Sequence, residues 1–364
     1  MKYLISGGGT GGHIYPAVAI AKEILKNEND ADILFVGTKN GLENDLIPRE
    51  GFKLETITVQ GFKRKISIDN LKTLKKAFIG LKDANKILKN FKPDIVIGTG
   101  GYVCGPVVMM AAIKGIPTLI HEQNAFPGMT NKILSRVVKI VAVSYEESIK
   151  YFKNKKKVVV TGNPIREEIF KTNREEALKN LGFSDKIPLI VSVGGSRGAE
   201  KINDTMINLL KDKSIKFQLL IITGNKQYDN FIKTLEKEKI ILSNSTKIIA
   251  YCHNMADVYA AADIIICRAG AITLAEITAK GVASILIPSP NVTNNHQEYN
   301  ARVLEKGKAA YVILEKDLNA EILKDKINYI LENPQTLIDM KKNSLKLARF
   351  NAANDIYKLI KSIT

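Results

Sequence analysis

The residues best suited to chemistry sit in short polar runs that follow apolar ones. The first is SGGGTGGH, residues 6–13, directly after Tyr3-Leu4-Ile5. Glycines in such a turn allow positive φ and let a ligand approach the backbone. The helix expected from Ala17 to Leu25 starts behind this loop, and its first N–H groups and positive dipole end suit an anion. His13 adds a group that titrates near neutrality and can accept a proton from an attacking alcohol. A second run, His121-Glu122-Gln123-Asn124, follows Thr118-Leu119-Ile120 and offers hydrogen-bonding groups for sugar hydroxyls; the alternative is a capped loop in which His121 and Glu122 are satisfied by backbone. Three further glycine-marked segments also follow apolar runs: GTGGYVCGP (98–106), GGSRG (194–198) and CRAGAITLAE (267–276). Any one could be an ordinary strand-to-helix turn; four in one chain point to ligand-binding loops.

Familiar phosphate motifs fit poorly. Gly7, Gly9 and Gly12 have the dinucleotide spacing, but Thr38 follows the second apolar run, 33–37, where a nicotinamide site wants an acid. A P-loop needs Lys and Ser/Thr where His13 and Ile14 stand. Asp30-Ala31-Asp32 spells the DxD of metal-dependent sugar transferases, but it precedes the second strand, at the amino end, and reads as a surface turn. No metal ligand set is expected.

These loops need strands to carry them. Apolar runs at 3–6, 33–37, 94–98, 117–120, 139–143 and 157–161 alternate with helix-like stretches. After Thr161-Gly162-Asn163-Pro164 the pattern restarts at 188–193, 217–223, 247–250, 263–267, 283–287 and 311–314. Such alternation predicts α/β architecture with parallel sheets covered on both faces. LISGGGTGG and LIVSVGGSRGA open the two halves alike. The expectation is two Rossmann-like doubly wound domains facing a cleft. The first spans 1–162, with a C-terminal helix 345–364 packing back on it, and the second spans 163–344. Ligands in such folds lie at the carboxyl ends of the strands.

The chain has 364 residues, enough for two domains, and its 45% hydrophobic content is ordinary for a globular protein. No apolar stretch approaches a membrane span, and the amino terminus lacks the layout of a signal peptide. Cys104, Cys252 and Cys267 are too few and too apolar in context for a disulfide or metal framework, which fits a reducing cytoplasm. The net charge is +17, and residues 1–162 hold 25 basic against 14 acidic side chains. That excess favours anionic partners.

GGGTGGH, GTGGYVCGP, HEQNAFPGMTNK, TGNPIR, GGSRGA, CRAGAITLAE and NNHQEYNA occur in this order along nearly the whole chain. Together they closely resemble the MurG family. The resemblance implies a GT-B fold and transfer of N-acetylglucosamine from UDP-N-acetylglucosamine to undecaprenyl-pyrophosphoryl-N-acetylmuramoyl-pentapeptide (lipid I). Transfer would go to the C4 hydroxyl with inversion, need no metal or other cofactor, and give lipid II for peptidoglycan. It implies that Ser196 and Arg166 meet the donor phosphates, that the Cys252 backbone reads the uracil, and that Ile272 and Thr273 flank the nucleotide. Glu276 would hold the ribose hydroxyls and Gln297 the sugar, with Arg268 also on the donor side. Thr10, Gly11, Gly12 and Asn124 match donor-contacting positions of the first domain. Gly9 and Tyr102 are expected at the acceptor. Cys104 and Arg197 depart from the serine and glutamine frequent at their positions.

His13 is then a candidate base for the acceptor hydroxyl; the alternatives are a contact to the acceptor pyrophosphate or a helix cap. Glu122 is a rival base. Because the acceptor is a lipid, the protein is expected at the cytoplasmic face of the cell membrane, as a peripheral protein. The basic stretch 61–92 is the candidate contact with an anionic surface. Leu71, Leu74, Phe78, Leu81 and Leu88 form its stripe, expected to bury against the sheet, whereas Ile66, Ile68 and Ile79 are insertion candidates. Its only aromatics are Phe62, Phe78 and Phe91, too few for a nucleic-acid stacking surface. Two other readings remain at this stage: another UDP-sugar enzyme of the same fold, such as a 2-epimerase, and a non-catalytic nucleotide-sugar binder.

Overall fold

The computed structural model describes residues 1–60, 68–195 and 198–364; in the helix that begins at Ile68, side chains are described from Lys76 onward, Ala77 excepted. The chain forms two compact units, Met1–Arg166 with Arg349–Thr364, and Glu167–Ala348.

Unit one is a seven-stranded parallel sheet. Its strands are β1 (Lys2–Gly7), β2 (Asp32–Thr38), β3 (Lys53–Ile57), β4 (Ile95–Gly100), β5 (Thr118–Glu122), β6 (Ile140–Val143) and β7 (Val158–Val160). They lie in the order β3-β2-β1-β4-β5-β6-β7. Leu4 pairs with Leu34 on one side and Val96 on the other. Helices α1 (Gly11–Asn27), α2 (Glu43–Arg49), α3 (Ile68–Phe91), α4 (Cys104–Ile113) and α5 (Met129–Leu134) connect the strands. The period of two sorts the strand residues onto two faces. Leu4, Val96, Ile120 and Val141 pack with Ala84, Leu88 and Val107. Tyr3, Ile5, Ile97 and Leu119 pack with Ile14, Ile20 and Ile24.

Six strands were expected in this half, and β3 is the addition. It is the outermost strand and only Ile57 in it is buried. An edge strand that covers so little core carries no continuous apolar run to announce it. The stripe expected on α3 is also corrected. Its buried face is Gly80, Ala84, Ile87 and Leu88, while Phe78 is 61% exposed and Ile79 and Leu81 are half-buried. Leu71, Leu74, Ile66 and Ile68 lie outside the described side chains.

Unit two carries β8 (Leu189–Val193), β9 (Gln218–Ile222), β10 (Thr246–Ile249), β11 (Ile264–Cys267), β12 (Ala283–Leu286) and β13 (Ala310–Val312), in the order β10-β9-β8-β11-β12-β13. Its helices are α6 (Glu168–Lys171), α7 (Arg174–Leu181), α8 (Glu200–Leu210), α9 (Tyr228–Lys237), α10 (Met255–Ala261), α11 (Ala271–Lys280), α12 (His296–Lys306), α13 (Ala320–Glu332) and α14 (Pro334–Leu347). Asp263, at the start of β11, accepts hydrogen bonds from Arg174, Lys341 and the Leu189 N–H. Burial raises its proton affinity, but these two cations and the N–H hold the carboxyl below its ordinary range.

The C-terminal helix expected over 345–364 is instead parts of two helices. The first is the end of α14; the second, α15 (Ala352–Lys361), lies on α1 in unit one. Ile356 and Ile360 bury there, and Tyr3, Tyr357 and Lys361 all donate to Glu28. Among the described residues no helix is long and apolar enough to cross a membrane.

Candidate functional site

Each sheet reverses its strand order once, between β1 and β4 in unit one and between β8 and β11 in unit two. Loops at the carboxyl ends of those strands diverge there and leave room for a ligand. All four glycine-marked segments begin at these four strands.

In unit one, β1 runs into the glycine loop and α1 starts at Gly11, with Thr10 extended at its N-cap. The His13 ring is half-buried, with Nδ1 3.1 Å from the Gly8 carbonyl and 3.2 Å from Thr10 Oγ1. A carbonyl only accepts, so Nδ1 carries the hydrogen and the lone pair falls on Nε2. The Nε2 edge faces Gly100, the last residue of β4. A Cβ there would lie 2.8 Å from His13 Cδ2 and 3.1 Å from Nε2, and Gly100 has φ +108°. Only glycine permits both the conformation and the ring's approach. Thr99 Oγ1 donates to the His13 carbonyl at 2.8 Å, tying β4 to α1.

Cys104, at the start of α4, donates to the Ser6 carbonyl and accepts from the Gly100 N–H at 3.1 Å. Burial pushes its thiol up to about 12, so it stays protonated and serves as a hydroxyl-like tie between β1 and β4. Tyr102 is 39% exposed, and a Cβ on Gly9 would lie 3.5 Å from its ring. Arg166 stacks its guanidinium over Tyr15 of α1, 5.8 Å from the ring centroid.

The polar run that begins with the last two residues of β5 is mostly internal. His121 is fully buried; its Nε2–H donates to the Gly162 carbonyl at 2.9 Å and its Nδ1 accepts from Gln123. Burial pulls its pKa down to about 4, so the ring is neutral. Glu122 is 1% exposed, and its carboxylate accepts from the Asn124 N–H, Asn124 Nδ2, the Gly128 N–H and Asn131 Nδ2 at 2.8–3.1 Å. This corrects the rival-base expectation: the carboxylate's lone pairs are spent on holding its own loop, which sets the half-buried Asn124 in place.

In unit two, β8 leads to Gly194 and Gly195; Ser196 and Arg197 lie outside the described residues. β11 leads to Gly270, the extended N-cap of α11, with Ile272 and Thr273 half-buried in the first turn. Glu276, one turn on, is 5% exposed and accepts from the Tyr259 hydroxyl at 2.9 Å. Cys252 is half-buried after β10, and burial raises its thiol pKa. Gln297 Oε1 accepts from the Ser289 N–H at 2.9 Å, which orients its amide at the start of α12. Asn294 and Asn295, both at positive φ, shape the turn before it.

Arg268 departs from the donor contact expected of it. Its guanidinium pairs with Glu315 and donates to the Ile287 and Pro288 carbonyls. It braces the loop after β12. Sequence reading also missed Glu43 and Tyr259. Glu43 stands five residues beyond Thr38 with no motif around it, and Tyr259 lies within a helix; neither had a local signal.

The description "Glycosyltransferase family 28 N-terminal domain" fits residues 3–143, and "Glycosyltransferase family 28 C-terminal domain" fits residues 189–360. A protein of Thermoanaerobacter sp. (strain X514) is 73% identical over 364 residues, with both chains covered completely. One from Caldanaerobacter subterraneus subsp. tengcongensis is 66% identical, again over all of both chains. Both bear the name UDP-N-acetylglucosamine–N-acetylmuramyl-(pentapeptide) pyrophosphoryl-undecaprenol N-acetylglucosamine transferase. The crystal structure of Acinetobacter baumannii MurG matches at a TM-score of 0.78 and 31% identity, covering all of both chains. A UDP-GlcNAc 2-epimerase from Neisseria meningitidis also matches, at 0.69 over 99% of this chain and 100% of that one. Its 16% identity makes that a likeness of fold alone.

Proposed function

Because the chain belongs to glycosyltransferase family 28, among the lipid I N-acetylglucosaminyltransferases, we propose how its own residues carry the transfer that forms lipid II. The reaction joins N-acetylglucosamine from UDP-N-acetylglucosamine to undecaprenyl-pyrophosphoryl-N-acetylmuramoyl-pentapeptide. The acceptor C4 oxygen attacks the anomeric carbon from the face opposite the phosphate, so the configuration inverts. Its proton passes to His13 Nε2. The C1–O bond breaks, and its electron pair leaves on the β-phosphate of UDP.

The observation that carries this reading is the 3.1 Å approach of His13 Nδ1 to the Gly8 carbonyl. Nδ1–H is committed to the Gly8 carbonyl, which aims a basic nitrogen at the switch point of unit one. Gly9 and Tyr102 line the acceptor side, with Glu122 holding the loop of Asn124. On the donor side Glu276 receives the ribose hydroxyls, Ile272 and Thr273 flank the nucleotide, the Cys252 backbone reads the uracil, and Gln297 binds the sugar. The charge growing on UDP meets helix N-termini, Ser196 and Arg166. Thr10, Gly11, Gly12 and Asn124 complete the donor's surroundings.

The protein works at the cytoplasmic face of the membrane without spanning it. Supporting this are the exposed Phe78 on α3, Ile113 on α4 and Met129 and Ile133 on α5, with α3 packed on α4 and α4 on α5. Exposed Lys82 and Lys86 lie on α3, Lys114 directly follows α4, and Arg136 follows α5. Apolar side chains among cations suit an anionic bilayer.

One experiment tests the set: transfer to lipid I held in anionic vesicles, in EDTA, for wild type and His13→Ala. Wild type transfers undiminished by EDTA, and rising salt releases it from the vesicles. His13→Ala lowers kcat by about a thousandfold with acceptor KM kept. A change confined to acceptor KM would make His13 a phosphate contact instead. Sugar epimerisation without acceptor would replace transfer with the 2-epimerase reading.

A further inference from the structure

Glu43 opens α2, and its side chain is completely buried beneath the loop at 7–12. Oε2 accepts the Gly9 N–H at 3.0 Å, while Oε1 accepts the Thr38 N–H at 2.8 Å and the Thr38 hydroxyl at 2.7 Å. Burial alone would raise its proton affinity, but the N–H groups of Gly9 and Thr38 more than offset this and hold the carboxyl below its ordinary range. A buried anion is therefore fixed behind a loop whose front faces anionic substrates.

The surrounding backbone is cut to fit it. A Cβ on Gly8 would lie 2.6 Å from Oε1, one on Gly37 2.5 Å from Cγ, and one on Gly41 2.2 Å from the carboxylate. Three glycines, one in the first loop, one in β2 and one in the turn before α2, leave space for one side chain. Gly8 carries the carbonyl that fixes the His13 tautomer, and Gly9 carries the N–H that Glu43 holds. The geometry points to Glu43 as the positioning residue of this loop: it turns the Gly9 N–H inward, and so sets the Gly8 carbonyl that orients His13. With that N–H committed to Glu43, an acceptor phosphate is left the N–H groups at the start of α1. This role rests on the lipid I reading for its kinetic consequence, but not for its structural one.

The test uses Glu43→Gln, which keeps the shape but cannot accept at both oxygens, and Gly41→Ala, which displaces the carboxylate without altering the loop. Three quantities are read on the full-length protein: kcat and acceptor KM, the Kd for UDP-N-acetylglucosamine, and hydrogen exchange across 7–13. Both variants should lower kcat/KM for lipid I by about ten- to a hundredfold, leave donor Kd within about twofold of wild type, and speed exchange at Gly9. Acceptor kinetics unchanged in both would overturn the proposal. So would equal loss of donor binding, or loss of protection spread evenly through unit one, since Glu43 would then support only the fold. If Glu43→Gln does not fold, Gly41→Ala decides. If wild type transfers nothing, the enzymatic reading falls, and exchange at Gly9 still decides the positioning role.

Discussion

The two units open alike in sequence, yet their first glycine loops rest on opposite supports. In unit one the loop is backed by the buried carboxylate of Glu43. In unit two the described side chain that meets the loop from behind is a neutral amide, Gln227. A Cβ on Gly198 would lie 2.7 Å from the Gln227 amide, and one on Gly224 would lie 2.5 Å from the Gly198 nitrogen. Gln227 itself accepts from Asn203, which also donates to the Thr223 carbonyl. A carboxylate fixes a loop firmly, because its hydrogen bonds are charge-assisted, but it repels further negative charge nearby. A neutral amide fixes the loop less firmly and leaves its field free for a diphosphate. The contrast fits the proposed division of labour, with the base on unit one and the charged donor on unit two.

Burial also sets how unit one responds to pH. Unit one buries His121 as a neutral ring with its pKa pulled from 6.5 to about 4. Between those values the unfolded chain binds a proton that the native ring refuses, so stability rises with pH there. The full contribution is present above pH 6.5 and is lost as pH falls toward 4, amounting to about 3 kcal/mol. Thermal unfolding of wild type should show that slope, and His121→Gln should flatten it. An unchanged slope would mean that other groups set the acid response of unit one.

Placing a charge under the second loop tests the electrostatic half of the comparison. Gln227→Glu still accepts from Asn203 but adds an anion. Donor affinity measured by calorimetry should fall by about tenfold. Wild-type affinity in that variant would break the contrast, leaving the two supports as alternative ways to brace a turn. A smaller effect is expected one turn into α11. Tyr259→Phe removes one hydrogen bond that Glu276 accepts and so weakens the placing of its carboxylate for the proposed ribose contact. Donor KM should rise about threefold to tenfold with kcat kept. If kcat falls instead, Tyr259 acts on the reacting centre rather than on Glu276.

Much of this was legible in the chain itself. The alternation of apolar runs with helical stretches carries a parallel α/β architecture, since a strand buried on both faces must be apolar throughout. β3 escaped because an edge strand with one buried residue has little such constraint. The glycine loops were legible because close backbone approach excludes side chains, and His13 because titration near neutrality is a property of the residue type.

Burial and hydrogen-bond pairing were not legible, because they depend on neighbours distant in sequence. His121, Glu122 and Asn124 read as one polar run facing a ligand. The tertiary structure turns His121 and Glu122 inward and leaves Asn124 at the edge. Thr38 stands where an acid would follow the second strand, yet an acid does reach the first loop, from beneath, as Glu43. Arg268 likewise read as a donor contact and is held by Glu315, 47 residues away. The sequence by itself determined which strands, loops and reactive groups exist, because those follow from residue type and local period. Only the tertiary structure decided which polar groups face a ligand and which hold the loops, because desolvation and partner geometry exist only once the strands are side by side.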